Sequence, residues 1–169
     1  MLKVDLGLLA RQHRIRIETE VPADDPLWET LPWRFAEPVL LRMDVQQAGA
    51  DVVVRGRVQG LVELSCRRCL VPVGHELDEE LTLLYRPGVA GVEAEAEEVY
   101  ALPAKGGELD LTAALREHVL LAVPEFVICT EECRGFCPRC GTNLNQSSCD
   151  CADEEEDPRW AALRRLRSE

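Results

Sequence analysis

The amino-acid sequence predicts an α+β fold: an antiparallel β-sheet or small barrel with one covering helix, followed by a C-terminal cysteine-rich tail that ends in a short helix. Three observations predict this class. Polar and apolar residues alternate with period two through much of the first half, as they do in half-buried strands. One segment near residue 115 has apolar residues at helical spacing. Six of the eight cysteines lie within residues 129–151.

Five segments have the composition and alternation of β-strands. They are residues 13–21, 39–45, 51–64, 77–85 and 98–102. Residues 47–50 form a turn sequence, which predicts a hairpin between the second and third of these strands. Residues 22–38 contain four prolines, which favours a loop that covers the sheet, with Trp28 and Trp33 packed as a lid.

Two helices are predicted. The first begins at Asp110, which serves as N-cap, and runs to Val123, where Pro124 ends it. Its apolar stripe predicts that it covers the sheet, and the stripe consists of Leu111, Leu115, Val119 and Ala122. His118 lies near the stripe, but a lone histidine is not assigned as a ligand. The second helix begins at residues 157–158, an aspartate N-cap followed by a proline.

The sequence predicts a cytoplasmic protein. The chain carries a formal net charge of −12, and 46% of its residues are hydrophobic, which excludes wholesale disorder. Its first ten residues lack the long apolar stretch of a signal peptide, and no run approaches the ~18 apolar residues of a membrane span. We therefore expect no membrane partner. Residues 87–97, rich in glycine and glutamate, predict a solvated acidic loop.

The cysteines occur in four close pairs, and this spacing predicts metal ligation. In a reducing cytoplasm clustered thiols bind metal more often than they form disulfides. Two residues between thiols let one turn direct both sulfurs at one ion, and two such turns complete a tetrahedron around Zn²⁺. Eight thiols therefore fit two zinc ions per chain. The pairs are Cys66 with Cys69, Cys129 with Cys133, Cys137 with Cys140, and Cys149 with Cys151.

The four pairs combine into two sites in three ways. Short chain closure favours one zinc held by the last two pairs, because only eight residues separate them. The first two pairs would then hold the second zinc and cross-link a zinc-knuckle tail, residues 126–169, to a β-rich body, residues 1–125, through Cys66 and Cys69. Exchange of pairs between the sites stays open. Iron–sulfur ligation is an alternative, since sulfur ligands alone do not distinguish iron from zinc.

Three segments resemble one protein family. They are Cys66-Arg67-Arg68-Cys69-Leu70, residues 129–145 (CTEECRGFCPRCGTNLN), and Cys149-Asp150-Cys151 before the sequence DPRW at 157–160. The resemblance is to the YceD family (domain of unknown function 177), described as large ribosomal RNA subunit accumulation proteins, and it covers roughly residues 60–169. Phe136 stands where leucine is expected. The resemblance implies a bacterial cytosolic factor supporting synthesis, processing or stability of 23S ribosomal RNA, and it implies no catalytic residues.

These observations together predict a non-enzymatic, zinc-stabilised factor of large-subunit biogenesis that acts by binding. Because the chain as a whole repels phosphate, any RNA contact would be local. The expected partner is ribosomal large-subunit RNA, or a basic ribosomal protein or assembly factor bound by the acidic segment 76–128. No DNA and no small-molecule substrate is expected.

The alternative functions are a zinc-dependent thiol redox sensor and a metal-stabilised interaction domain with an unrelated partner. Candidate basic patches contain Arg11, Arg14, Arg16, Arg55 and Arg57, then Arg67 and Arg68, then Arg159, Arg164, Arg165 and Arg167.

Overall fold

Most of the chain forms strands. The computed structural model describes residues 2–88, 99–103 and 107–151, and all structural statements concern these residues. In chain order the elements are β1 (Lys3–Asp5), α1 (Leu6–Gln12), β2 (Arg14–Val21), a 3-10 turn (Pro26–Trp28), β3 (Arg34–Phe35), β4 (Val39–Ala48), β5 (Asp51–Ser65), β6 (Pro72–Pro87), β7 (Val99–Leu102), β8 (Glu108–Asp110) and α2 (Thr112–Ala122). This content confirms the α+β class.

The main sheet has the strand order β2-β4-β5-β6-β7, and the short β3 also pairs with β5. β4 and β5 form the hairpin predicted at residues 47–50, where Gly49 has a φ of 66°. β5 and β6 then pair antiparallel from Val52 to Ser65, the longest ladder in the sheet. In the described part of the chain β2 and β7 lie at opposite edges and do not pair with each other, so the small-barrel alternative is not confirmed.

One strand pair differs from the antiparallel sheet expected. β7 lies parallel to β6, with Leu84 opposite Val99 and Pro87 opposite Leu102. A parallel pair needs a crossover connection instead of a tight turn, and residues 88–98 lie between the two strands in the sequence. The alternation of residues within each strand is the same for either direction, and it therefore predicts the strands without predicting their orientation.

The core lies between one face of the sheet and α2. Alternate residues of β4 are buried, and they are Val39, Leu41, Met43 and Val45. Leu115 and Val119 of α2, with Leu111 just before the helix, complete this core. The structure thus confirms a covering helix. The loop before β4 closes one end, because the rings of Trp28 and Trp33 each make an edge contact with Phe35, at centroid distances of 4.9 and 5.2 Å.

The N-terminal segment carries elements that the sequence did not predict. Asp5 caps α1 by accepting a hydrogen bond from Leu8 N, and His13, with a left-handed φ of 59°, is the C-cap after Gln12. β1 pairs with β8 across more than a hundred residues, which places Asp110 beside Lys3. The Asp110 carboxylate accepts a hydrogen bond from Thr112 N, the first residue of α2. The N-cap itself is Leu111, so the predicted N-cap at Asp110 is wrong by one residue, because Asp110 is held in β8.

Two predictions fall largely on residues that lie outside the described part. They are the acidic loop at 87–97, of which only the first two residues are described, and the helix beginning at residues 157–158. Among the described residues, neither helix has the length and the apolar content needed to cross a membrane.

Candidate metal centres

The first cysteine pair forms the tip of the β5–β6 hairpin. β5 ends at Ser65 and β6 begins at Pro72, so Cys66 and Cys69 lie in the loop between two paired strands. Cys66 N donates to Val71 O at 2.9 Å and Leu70 N donates to Cys66 O at 2.8 Å, and these bonds close the turn. The longest ladder in the sheet therefore fixes the position of both thiols.

The chain after α2 returns to this turn and supplies the second pair. Val127 makes a parallel bridge with Cys66, and its carbonyl accepts a 2.9 Å hydrogen bond from Arg67 N. Cys129 and Cys133 follow, and Cys133 N donates to Thr130 O at 3.1 Å in a tight turn. Two backbone contacts to the hairpin tip thus bring thiols from distant parts of the sequence together.

The two groups of four thiols that short chain closure favours are the groups that the structure brings together. Centre 1 contains Cys66, Cys69, Cys129 and Cys133, and centre 2 contains Cys137, Cys140, Cys149 and Cys151. Within each centre all four Sγ atoms lie within 4.8 Å of one another. All eight cysteines are free, so the sulfurs are not joined in disulfides. These distances allow each centre to hold one metal ion.

The sulfur spacing of centre 1 fits a tetrahedral ion. Cys66 Sγ lies 3.8 Å from Cys133 Sγ, and Cys69 Sγ lies 3.6 Å from Cys129 Sγ. A tetrahedron with sulfur about 2.3 Å from its central ion has edges of about 3.8 Å. Cys66 is 0% exposed, and Cys69 and Cys133 are also buried. Unpaired thiolates would be costly in such surroundings, whereas thiolates around a cation are stabilised.

Local backbone groups favour ionisation of part of centre 1. Burial raises the pKa of the Cys66 thiol, but neighbouring backbone N–H groups outweigh burial and lower that pKa to about 6. Val71 N–H favours the thiolate of Cys69, yet burial and the three adjacent sulfurs raise its pKa to about 12. A thiol must lose its proton to ligate a metal, so metal binding at centre 1 would displace the proton from Cys69, whose pKa is raised.

Centre 2 is built from a short hairpin-like turn. Phe136 and Asn143 form an antiparallel bridge, and Cys137 N donates to Thr142 O at 2.8 Å. Gly141 N donates to Cys137 O at 2.9 Å, and Gly141 has a φ of 72°, the left-handed region that glycine enters without strain. This turn directs the sulfurs of Cys137 and Cys140 to the same side.

Thr142 also acts on a thiol of centre 2. Its hydroxyl lies 3.2 Å from Cys140 Sγ. The Thr142 side chain, together with its backbone N–H, lowers the pKa of Cys140 to about 6. Hydrogen bonds with the neighbouring sulfurs raise the pKa of Cys151 to about 12. Centre 2 is less buried than centre 1, since Cys140 is exposed and Cys149 and Cys151 are half-buried.

Three residues join the two centres, and the sequence analysis assigned this role to none of them: it placed Arg68 in a candidate basic patch. Asn145, in the centre 2 loop, donates from Nδ2 to Cys133 Sγ of centre 1 at 3.5 Å, and its Oδ1 accepts from Arg134 N. Arg68, in the hairpin tip, donates to Cys133 O at 2.8 Å and accepts at its own carbonyl from Phe136 N at 3.1 Å. Gly135 has a φ of 70° and lies against Arg68 O.

The predicted basic patches on the sheet are partly neutralised. Arg57 donates to Asp78 on the neighbouring strand at 2.8 Å, and its guanidinium holds the pKa of that carboxyl below the usual value. Arg14 pairs with Asp44 across β2 and β4 and lowers the pKa of Asp44 in the same way. Arg16 is the second cation beside Asp44, at 3.5 Å. These pairs reduce the positive charge available to phosphate on the open face of the sheet.

Comparison with known proteins adds a family match. A family model described as "Large ribosomal RNA subunit accumulation protein YceD" matches residues 54–167, which include all eight cysteines. The chain is 31% identical over 165 residues to an uncharacterized protein of Mycobacterium tuberculosis strain H37Rv, covering 96% of this chain and 79% of that protein. No solved structure matches the chain.

Two plant relatives carry a descriptive name. The chain is 27% identical over 158 residues to "Large ribosomal RNA subunit accumulation protein YCED homolog 1, chloroplastic" of Arabidopsis thaliana, covering 78% of this chain and 49% of that protein. The protein of the same name from Zea mays is 24% identical over 142 residues, covering 68% of this chain and 48% of the relative. The chain thus spans about half the length of these plant relatives.

Proposed function

This chain belongs to the YceD family, and from that premise we propose that it is a non-enzymatic factor that supports synthesis, processing or stability of 23S ribosomal RNA during large-subunit biogenesis. It acts by binding large-subunit RNA or a basic ribosomal protein or assembly factor, and its surface is organised by two zinc ions. The observation that carries the proposal is the presence of two closed groups of four thiols within the segment that the family model matches.

The residues of both centres fit zinc. Thiolates are ligands that Zn²⁺ prefers, and four of them in one tetrahedron complete its coordination. Cys66, Cys69, Cys129 and Cys133 would hold one ion, and the other four cysteines would hold the second. Zinc bound in this way supplies structural stabilisation, because a closed site has no open position for a reacting water. This donor set supports a binding function over a hydrolytic one.

Deletion of the gene in its own organism tests the role in ribosomal RNA. We expect the ratio of large-subunit to small-subunit ribosomal RNA to fall, and the wild-type gene to restore it. The Cys66→Ser variant should fail to restore the ratio because it lacks a ligand of centre 1. Ser65→Ala changes the exposed neighbour that is not a ligand, and it should restore the ratio fully.

An unchanged ratio after deletion would contradict the proposed role. That result would favour a metal-stabilised interaction domain with a partner unrelated to the ribosome.

A thiol redox sensor is a second candidate, and the exposure of centre 2 favours it. Cys140 is exposed, so an oxidant reaches this thiolate more easily than the buried Cys66. Two thiolates oxidised by one peroxide would form a disulfide, reduce the peroxide to water and release Zn²⁺. The structural role predicts instead that mild peroxide leaves the zinc content of the folded protein unchanged.

A further inference from the structure

The exposed apolar surface of the chain is concentrated around centre 1 and the end of α2. In the described ranges, every exposed large hydrophobic side chain belongs to the hairpin tip or to residues 120–136. These side chains are Leu70, Val71, Leu120, Leu121, Phe126, Ile128 and Phe136. The strands of the main sheet contribute none. Such local concentration is typical of a protein–protein contact surface.

Leu70 occupies a position that suits glycine. It follows Cys69 as Gly141 follows Cys140, and in both turns this residue donates its N–H to the carbonyl of the first cysteine. The φ of Leu70 is 56° and that of Gly141 is 72°, so both backbones are left-handed. A branched side chain is strained there, and Leu70 is 65% exposed. Packing within the described chain therefore contributes little stabilisation to offset the backbone strain at Leu70.

Three further side chains border the same turn. Val71 accepts a hydrogen bond from Cys66 N, and Val127, which bridges to Cys66, is flanked by Phe126 and Ile128. Phe126 is 58% exposed even though the Arg67 guanidinium stacks on its ring at 3.4 Å. We call this surface the Leu70 face, and it consists of Leu70, Val71, Phe126 and Ile128.

The charges around the Leu70 face favour a basic partner. Three arginines, Arg67, Arg68 and Arg134, and three exposed glutamates, Glu125, Glu131 and Glu132, balance one another. Four thiolates around one Zn²⁺ would add a net negative charge that nothing in this balance offsets. Arg67 stacks on Phe126 and Arg68 donates to Cys133 O, so both guanidinium groups are directed at the protein's own atoms. The three glutamates have no ion pair among the described residues.

We propose that the Leu70 face is the docking surface for a basic protein. Leu70 inserts into an apolar pocket of that protein, and lysine or arginine side chains around the pocket meet Glu125, Glu131 and Glu132. In the complex Leu70 would be buried and would make the packing contacts that it lacks in the free chain, as expected for an interface anchor. RNA fits this face poorly, because phosphates would meet net negative charge. Phe126 is the one aromatic ring of the face, and the Arg67 guanidinium already stacks on it, whereas the other three side chains are aliphatic and do not stack on bases. This inference deepens the proposed function by choosing its partner class.

The test uses the full-length zinc-loaded chain and two defined probes. The immobilised protein is exposed separately to the mixed proteins of the purified large ribosomal subunit and to deproteinised RNA from the same subunit, at about 50 and 200 mM salt. Bound proteins are identified by mass spectrometry, purified singly and used for affinity measurement. We expect a basic protein to bind, and to bind more weakly at the higher salt concentration. The immobilised chain should retain less of the RNA than of this protein.

Variants connect the binding to the Leu70 face. Leu70→Gly removes the anchor and relieves the left-handed strain, so it should weaken binding by about tenfold or more while the melting temperature stays equal or rises. The double variant Glu131→Gln with Glu132→Gln should weaken binding and reduce its salt dependence. The double variant Glu20→Gln with Glu79→Gln makes the same charge change on exposed residues of β2 and β6, and it should leave affinity unchanged.

Three results would overturn the inference: binding of RNA without any protein, binding of neither probe, or wild-type affinity in Leu70→Gly. Equal weakening by the Glu20 and Glu79 control would also overturn it. Failure of the proposed function is a separate result, because it would appear as an unchanged ribosomal RNA ratio after gene deletion, whatever the affinity of the purified protein.

Discussion

Replacing Cys66 with serine should reduce the zinc content from about two ions to about one per chain and free residues 126–133 from the sheet. Cys66 is fully buried, its Sγ lies 3.8 Å from Cys133 Sγ, and its backbone bridges to Val127. Structural zinc contributes an apparent ~10 to 16 kcal/mol to the folding of small peptides at neutral pH. We expect the free energy of unfolding of this variant to fall by several kcal/mol. This is on the order of the 3–5 kcal/mol that it costs to remove one partner of a buried ion pair.

The measurements are metal analysis, thermal melting and limited proteolysis with cleavage sites mapped. Cys140→Ser is the matched control, because it removes an exposed ligand of centre 2. It should also leave about one zinc per chain, but melting of the sheet should match the wild type, because centre 2 has no ligand from the hairpin tip. Two retained zinc ions in Cys66→Ser, or an unchanged proteolysis pattern, would contradict the role of centre 1.

Substituting alanine for Gly135 should separate the two centres. A Cβ at this position would lie 2.8 Å from Arg68 O, which is backbone, and the φ of 70° is unfavourable for alanine. The left-handed backbone costs about 1–2 kcal/mol and the overpacking about 1–3 kcal/mol, so we expect a loss of about 3 kcal/mol. Relief of the clash must move the chain away from Arg68 and lengthen the Phe136 N to Arg68 O hydrogen bond.

Gly141→Ala separates these two costs. Gly141 has nearly the same φ, 72°, but a Cβ there meets no atom within 4 Å. Its loss should therefore be about 1 kcal/mol, from the backbone alone. Thermal melting gives both values, and amide hydrogen exchange at Phe136 shows whether the contact with Arg68 opens. Equal losses in the two alanine variants would mean that the approach of Gly135 to Arg68 O carries no stability.

Features encoded locally could be predicted from the sequence. The alternation in Arg14–Val21 and Val39–Ala48 reports one buried face for each strand, and the turn at Gly49 joins neighbouring segments. The apolar stripe from Leu111 to Ala122 predicts α2 for the same reason. Short loop closure also favours the grouping of thiols found in centre 2, because few residues need to be ordered to bring its two pairs together.

Features that depend on long-range register could not be predicted. The pairing of β1 with β8, and the parallel direction of β7, each depend on contacts between segments whose local patterns are compatible with other partners. Arg57 meets Asp78 only in the register that β5 and β6 adopt. The sequence alone does not show this register, and it therefore indicated a basic patch where the fold forms an ion pair. The bond from Asn145 to Cys133 likewise appears only when the two centres adjoin.

Native mass spectrometry of the purified full-length chain, joined to zinc X-ray absorption, tests the central claim most directly. The account predicts two zinc ions per chain, each surrounded by four sulfurs at about 2.3 Å, and retention of about one zinc in both Cys66→Ser and Cys140→Ser. A folded chain with no metal, with iron, or with its cysteines joined in disulfides would contradict the account.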